Sequence, residues 1–332
     1  MCDRVTKNED IDPVERIEDL ISSFERDFAA AFMLLIGSIK NEMVLSEVAD
    51  LIEKGLLTQA LEKVEQSIAK FSDVLVTAIA ASARGTADFL ESQLKVVISF
   101  DQTNVSAVEA MRETKLRAMK GLSDTQMTSI RETLIEGISN GDNPLEQARR
   151  FRDSIGLTPN QNKAVASYRR ALESNSAAAL NRALRDARFD RTVENAVASG
   201  KALTAKQIDK MVDRYRDRSV KHRAEVIART EALAAVHKGN NLMYQQAVRD
   251  GFLEKERLLR TWSRAKDNRV RDTHDGMQGQ QRGLDEAFMS DAGVLLMYPG
   301  DETAPAKETV QCRCLVTTRL LPAGQVAGVL YE

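Results

Sequence analysis

Thr204-Ala-Lys-Gln207-Ile208-Asp-Lys-Met211-Val212-Asp-Arg-Tyr215-Arg-Asp-Arg-Ser-Val-Lys-His-Arg223 opens a stretch with no Pro or Gly before Gly239. Thr204 and Gln207 have capping-box spacing, in which each side chain satisfies a free backbone N–H at a helix start. Behind them Ile208, Met211, Val212 and Tyr215 recur at steps of three and four, the period of one helix face. The apolar stripe thins over Arg216–Arg223 and returns at Val226, Ile227, Leu233 and Ala234. This predicts one long helix, bent near Ser219, whose thin part is solvated or faces a charged partner.

The same period extends towards the N-terminus. Ile17, Leu20, Ile21, Phe24, Phe28, Phe32, Leu35, Ile36 and Ile39 mark a helix of about seven turns, started by Asp12-Pro13 as N-cap and first helical residue. Helical patterns follow at Leu45–Lys54, at Leu61 to Leu75, and around Phe89, Leu90 and Leu94. Residues 96–104 break the period, and a new helix starts near Asn104. Gly121-Leu-Ser123-Asp leads into another. Asn143-Pro144 and Thr158-Pro159 read as further capped restarts.

Beyond Gly251 the pattern changes. Leu258–Arg264 partly alternates apolar and polar residues. Val294–Tyr298 is a short buried run. Thr309–Thr317 alternates with Val310, Cys312, Cys314 and Val316 on one strand face. The fold class that follows is mainly α with a small C-terminal α+β domain, an elongated helical stem carrying a compact antiparallel sheet. The expected divisions are an acidic helical region over 1–95, a stem with a basic middle over 96–250, and the α+β domain over 251–332.

The chain has 332 residues, 43% of them hydrophobic and 29% charged, which is globular rather than disordered. The longest apolar run, Ala29–Ile36, falls far short of the roughly 20 residues a bilayer core requires, so no membrane span is expected. Cys2, Cys312 and Cys314 form no disulfide framework, which fits a reducing compartment. Net charge is only -2, but residues 1–100 carry -8 and residues 140–240 carry +8. In the basic middle Lys210, Arg214, Arg218 and Lys221 share one helix face, and Arg182, Arg185, Arg188 and Arg191 form a second series. Such series offer sequence-independent phosphate contacts. Asp209, Asp213 and Asp217 interleave and could pair with them internally. Tyr215 alone is aromatic among them, so base stacking is not indicated.

The residues able to carry other chemistry gather near the C-terminus. Cys312-Arg313-Cys314 places two sulfurs on one strand face, geometry unsuited to a relaxed disulfide. With His274 they make a partial Zn2+ shell, with Asp267, Asp272, Asp275 or water as the fourth ligand. Buried packing of two small cysteines beside a turn histidine is the alternative. On that reading there is no cofactor; on the other there is one structural zinc. His222 and His237, flanked by Lys and Arg, read as surface histidines. There is no Walker A, HExxH or GxSxG pattern, so no catalytic residue is assigned.

Several segments, in order, resemble a known family: Val97–Asn104, Gly156-Leu-Thr-Pro-Asn-Gln161, Tyr168-Arg-Arg-Ala-Leu172 and Ile227-Ala-Arg229-Thr-Glu231. Then come Trp262, Asp267-Asn-Arg269-Val-Arg271-Asp-Thr-His274, Pro299-Gly-Asp301 with Ala304-Pro305, and Cys312-Arg-Cys314. Over residues 97–318 this is similar to the phage Mu F-like minor head proteins, also called phage head morphogenesis proteins. Met277 departs from the commonest pattern, in which Leu-Asp-Gly precedes this position, and the first 95 residues match no family.

The resemblance implies a non-enzymatic minor capsid protein of a tailed bacteriophage. It would be present in few copies near the portal vertex and act in head assembly, DNA packaging or ejection. The implied partners are the portal protein, the major capsid or scaffolding protein, and double-stranded DNA bound without sequence preference. The implied location is the virion, after synthesis in the host bacterial cytoplasm. The motif residues carried over are Arg229, Glu231, Trp262, Asp267, Arg269, Arg271, His274, Cys312 and Cys314. The competing readings are a zinc-dependent hydrolase or nuclease in the C-terminal domain, and a purely structural helical adaptor.

Overall fold

Local capping chemistry sets where the helices begin. In the computed structural model, which describes residues 12–94, 97–265 and 269–327, α1 (Pro13–Glu42) starts where the Asp12 carboxylate accepts from the Val14 N–H at 3.0 Å. Asn104 caps α4 (Val105–Ser139) through the N–H groups of Ser106 and Ala107. Asn143 caps α5 (Pro144–Ser154), and Thr158 with Gln161 forms a complete capping box on α6 (Pro159–Glu173). Thr204 and Gln207 exchange the same pair of bonds at the start of α8 (Ala205–Arg249), a 45-residue helix. The remaining α-helices before it are α2 (Leu45–Glu53), α3 (Leu57–Leu94) and α7 (Asp190–Ser199). No single helix among the described residues is long and apolar enough to cross a membrane.

Three of the expected interruptions are absent. The patterns at Leu61–Leu75 and Phe89–Leu94 belong to one helix, α3. Gly121 and Ser123 lie inside α4, and Gly239 lies inside α8. A Cβ built on Gly121 meets nothing within 4 Å, so that glycine only lowers helix propensity and does not end the helix. Gly239 has a packing reason. A Cβ there would stand 2.5 Å from the Ile79 carbonyl oxygen and 2.9 Å from the Ala83 nitrogen, so α8 passes α3 at a separation only glycine permits. Next to this crossing, Ser82 donates to the Val236 carbonyl at 2.9 Å and meets Asn240 at 3.1 Å, both inside the buried interface.

The chain forms two compact units, each assembled from segments distant in sequence. One comprises residues up to 30, 72–117 and 226 onward. Its helical core buries Ile21 and Phe28 of α1, Leu75 and Ile79 of α3, and Leu233, Val236 and Met243 of α8. The other comprises 31–71 and 118–225. There Phe32, Ile39, Val64, Ile130, Phe151 and Leu172 are buried, and Tyr168 of α6 stacks on Tyr215 of α8 with ring centres 4.6 Å apart. Gln126 ties α4 to the end of α5 by donating to the Ser154 carbonyl and accepting from the Gly156 N–H.

All strands among the described residues lie beyond residue 250. β1 (Leu258–Ser263) is the centre of a three-stranded antiparallel sheet, between β2 (Gln281–Arg282) and β5 (Leu315–Leu320). β3 (Phe288–Met289) and β4 (Leu295–Leu296) form a separate antiparallel pair. Leu258–Arg264 is thus a strand, one residue shorter than expected. Thr309–Thr317 is not. Pro305 opens a single helical turn, α9 (Ala306–Thr309), and Gln311 takes a positive φ of 56°. The strand begins only at Leu315, opposite Ser263. Val294–Tyr298 is also only partly buried, since Leu295 points out to solvent.

Candidate functional site

One face of β1 organises the C-terminal region. Leu258, Arg260 and Trp262 point the same way, as strand periodicity dictates, and all three are buried. Trp262 lies against Phe288 and meets the edge of the His274 ring in a T-shaped contact, with centres 5.6 Å apart. Among the described residues Arg260 has no carboxylate within 4 Å. Its guanidinium donates to the carbonyls of Gly283 at 2.9 Å, Met297 at 2.8 Å and Glu286, so one buried cation ties the loop after β2 to the chain after β4. Burial lowers its pKa to about 10.

His274 sits in the short 3-10 turn Asp272–Met277, with its side chain sealed from solvent. Its Nδ1 lies 3.6 Å from Cys312 Sγ and 3.5 Å from Cys314 Sγ, and the three donor atoms all fall within 4.8 Å of one another. The cysteines do not share a strand face as expected. Both lie in the extended link between Gln311 and β5, and the reversal at Gln311 brings their sulfurs together on the imidazole. Hydrogen bonding with Cys314, then with His274, pulls the Cys312 thiol down to about 4 against the effect of burial. The hydrogen bond with Cys312 and burial push Cys314 well above the ordinary thiol range.

The other ring nitrogen, Nε2, is 3.0 Å from the Glu308 carboxylate, which also accepts from Thr273 Oγ1 at 2.9 Å. Glu308 was not expected at the site. In Ala304-Pro-Ala-Lys-Glu308-Thr it reads as a solvated acid, and only the helical turn after Pro305 swings it inward. Two of the acids expected as fourth ligands do not join the cluster. Asp272 and Asp275 are exposed, with Asp275 paired to Arg264, and Asp267 lies outside the described residues.

Two of the motif arginines have partners elsewhere. Arg271 donates to the carbonyls of Lys307 and, at 2.6 Å, Val310, clamping the turn that carries Glu308. Arg229 pairs with Glu25 of α1. Arg269 is exposed beside the turn.

Glu231 of α8 lies near Glu302. Burial and that neighbouring charge raise its pKa to about 7. Glu302 in turn pairs with Lys238 and, at 3.2 Å, accepts from the Tyr298 hydroxyl. The Pro299-Gly300-Asp301 turn packs on the same helix. Gly300 has a φ of 82°, and a Cβ there would stand 3.0 Å from the Ala234 Cα. His237 contradicts its surface reading. It is buried, and its pKa falls to about 3 through burial and the charge of Arg229. His222 is exposed.

The basic series sit in the other unit and divide by what they touch. Arg185 forms a two-pronged pair with Asp190, both bonds at 2.9 Å. Arg188 grips the buried Asp186 and holds its carboxyl well below the usual range. Arg182 donates to Ser167 Oγ at 2.7 Å. These three brace the loop between α6 and α7. On α8, Lys210, Arg214, Arg218 and Lys221 are exposed. Arg218 donates to the Arg185 carbonyl and comes within 3.7 Å of Asp186, and Arg214 is 4.0 Å from Asp217. Lys210 lies over the Phe189 ring. Two of the interleaved acids are engaged elsewhere, Asp209 with Arg169 and Asp213 with Arg216. Among the described residues Lys210 and Lys221 have no carboxylate within 4 Å.

Residues 187–317 match the family model described as Phage Mu protein F like protein. The match runs from the loop before α7 through α8 and the C-terminal sheet into β5. It contains Arg229, Glu231, Trp262, His274 and both clustered cysteines. The segments at 97–104, 156–161 and 168–172 lie outside it. No curated protein and no solved structure matches the chain.

Proposed function

We propose, proceeding from the match of residues 187–317 to the family model described as Phage Mu protein F like protein, that this chain is a head morphogenesis protein of a tailed bacteriophage. It acts as a minor capsid component near the portal vertex, contacting the portal and the major capsid or scaffolding protein during assembly and DNA during packaging or ejection. The match to that family model is the observation that carries this reading. The cysteine–histidine cluster lends no support to a hydrolase, because its side chains are at most 2% exposed and a reacting substrate would need access to them.

DNA contact is assigned to the exposed face of α8, through Lys210, Arg214, Arg218 and Lys221. Arg182 and Arg185, already committed to Ser167 and Asp190, contribute by holding the adjacent loop. A protein that neutralises phosphates with such side chains releases counterions, so its affinity falls with salt at a slope set by the number of contacts. The full chain should bind duplex DNA without sequence preference. Changing Arg214, Arg218 and Lys221 together to Gln should reduce the salt slope by about one unit per lost phosphate contact, roughly three in all. Fluorescence anisotropy across a salt series measures this. Absence of binding at low salt, or an unchanged slope, would favour the adaptor that touches only protein.

A further inference from the structure

We propose that Nδ1 of His274 and the sulfurs of Cys312 and Cys314 form a binding site for one Zn2+ ion, which ties the Asp272–Met277 turn to the segment leading into β5. The assignment rests on side-chain geometry and is independent of the family reading.

Donor spacing is the first support. With Zn–S near 2.3 Å and Zn–N near 2.05 Å, tetrahedral angles place a ligating sulfur and nitrogen about 3.6 Å apart. The two sulfur-to-Nδ1 distances are 3.6 and 3.5 Å. Two loops converge to produce them, and the whole set spans no more than 4.8 Å.

Orientation of the imidazole is the second. A histidine that ligates through one nitrogen donates the proton of the other to a carboxylate or carbonyl, which fixes the tautomer and raises the basicity of the ligating atom. Glu308 stands at 3.0 Å from Nε2 and is itself held by Thr273 Oγ1. With the proton on Nε2, the Nδ1 lone pair faces both sulfurs. Arg271, bonded to the carbonyls of Lys307 and Val310, keeps Glu308 on this side of the turn.

The donor types select the ion. Two thiolates and an imidazole suit a borderline-soft cation and are poor ligands for Mg2+ or Ca2+, which take oxygen donors. Among the described residues no further Cys, His, Asp or Glu joins the cluster. None of the described side chains therefore supplies the fourth position of a tetrahedral ion. Burial of all three ligands makes the site structural, with the Trp262 ring against His274 on one side.

The full chain, purified without chelator, should contain one zinc per molecule by elemental analysis. After metal removal, titration with Co2+ should develop thiolate-to-cobalt charge transfer and the visible bands of a tetrahedral ion, saturating at one equivalent. Cys314→Ser and His274→Gln should abolish these bands, and Cys2→Ser should leave them unchanged. Glu308→Ala should retain the site but weaken it about 10- to 100-fold, the loss typical of a missing outer partner. Co2+ titration of the unaltered chain stands even if the ligand variants fail to fold. Absence of both zinc and the cobalt bands in the unaltered chain would overturn the proposal and leave the cluster as packing. So would cobalt bands that persist in a folded Cys314→Ser variant.

Discussion

Replacing Trp262 by Ala is expected to destabilise the unit containing the C-terminal sheet by about 3–5 kcal/mol. Trp262 is fully buried near the end of β1, and its indole lies against both Phe288 and His274. Its backbone also holds the strand edge, accepting from Gly279 at 2.8 Å and donating to Gln280 at 2.9 Å. Those bonds survive the substitution, so the loss isolates the side chain. The sheet has only short strands on either side of the indole, and little else can collapse into the void. Trp262→Phe should recover most of the loss, because it keeps an aromatic body against Phe288. Denaturant unfolding followed by far-UV circular dichroism, with hydrogen exchange of the β1 amides, gives the comparison. A loss under about 1 kcal/mol would mean that the indole is not the packing centre described here.

The second large effect is expected at Arg260, two residues earlier on the same strand face. Arg260→Met keeps the volume and removes the donors, leaving the carbonyls of Gly283, Glu286 and Met297 without their shared partner. Buried acceptors left unpaired cost about 1–3 kcal/mol each, partly relieved where water can enter, so a loss of at least about 3 kcal/mol is expected. Arg260→Lys should recover less than half, since an ammonium cannot span three carbonyls as a planar fork does. Trp262 is the only tryptophan, so its fluorescence reports unfolding of this region in both variants. Wild-type stability in Arg260→Lys would contradict the clamp. Arg260 and Trp262 both contact Phe288, so the double variant should lose less than the two single losses combined.

Helix starts were legible because capping is local chemistry. Asp12-Pro13, Asn104, Asn143-Pro144, Thr158-Pro159 and Thr204 to Gln207 each carry their own signal within four residues. Helix continuity was less legible. Gly121 and Gly239 look alike in sequence, yet one faces open space and the other a backbone on α3, and neither breaks its helix. Strand position near Cys312 failed for a related reason. The alternation of Val310, Cys312, Cys314 and Val316 is real, but register is fixed by pairing with β1, a partner some fifty residues away. The helical turn after Pro305 and the positive φ of Gln311 consume the first half of the run.

The clustered site divides the same way. His274, Cys312 and Cys314 stood out because rare residue types fell near turns at both ends of a small domain. Glu308 did not stand out, because an acid beside Lys307 is ordinary on a surface. Arg260 was likewise invisible as a clamp, since a charged residue in an alternating strand reads as facing water. His237 was read as exposed from its basic neighbours, whereas its position on α8 turns it into the core.

A component of the phage head, as proposed for this chain, is found by quantitative mass spectrometry of purified particles and of precursor heads. The account predicts that the protein is present in both, at a fixed copy number far below that of the major capsid protein. Its absence from both particles and precursor heads, in a lysate where it is expressed, would contradict the account.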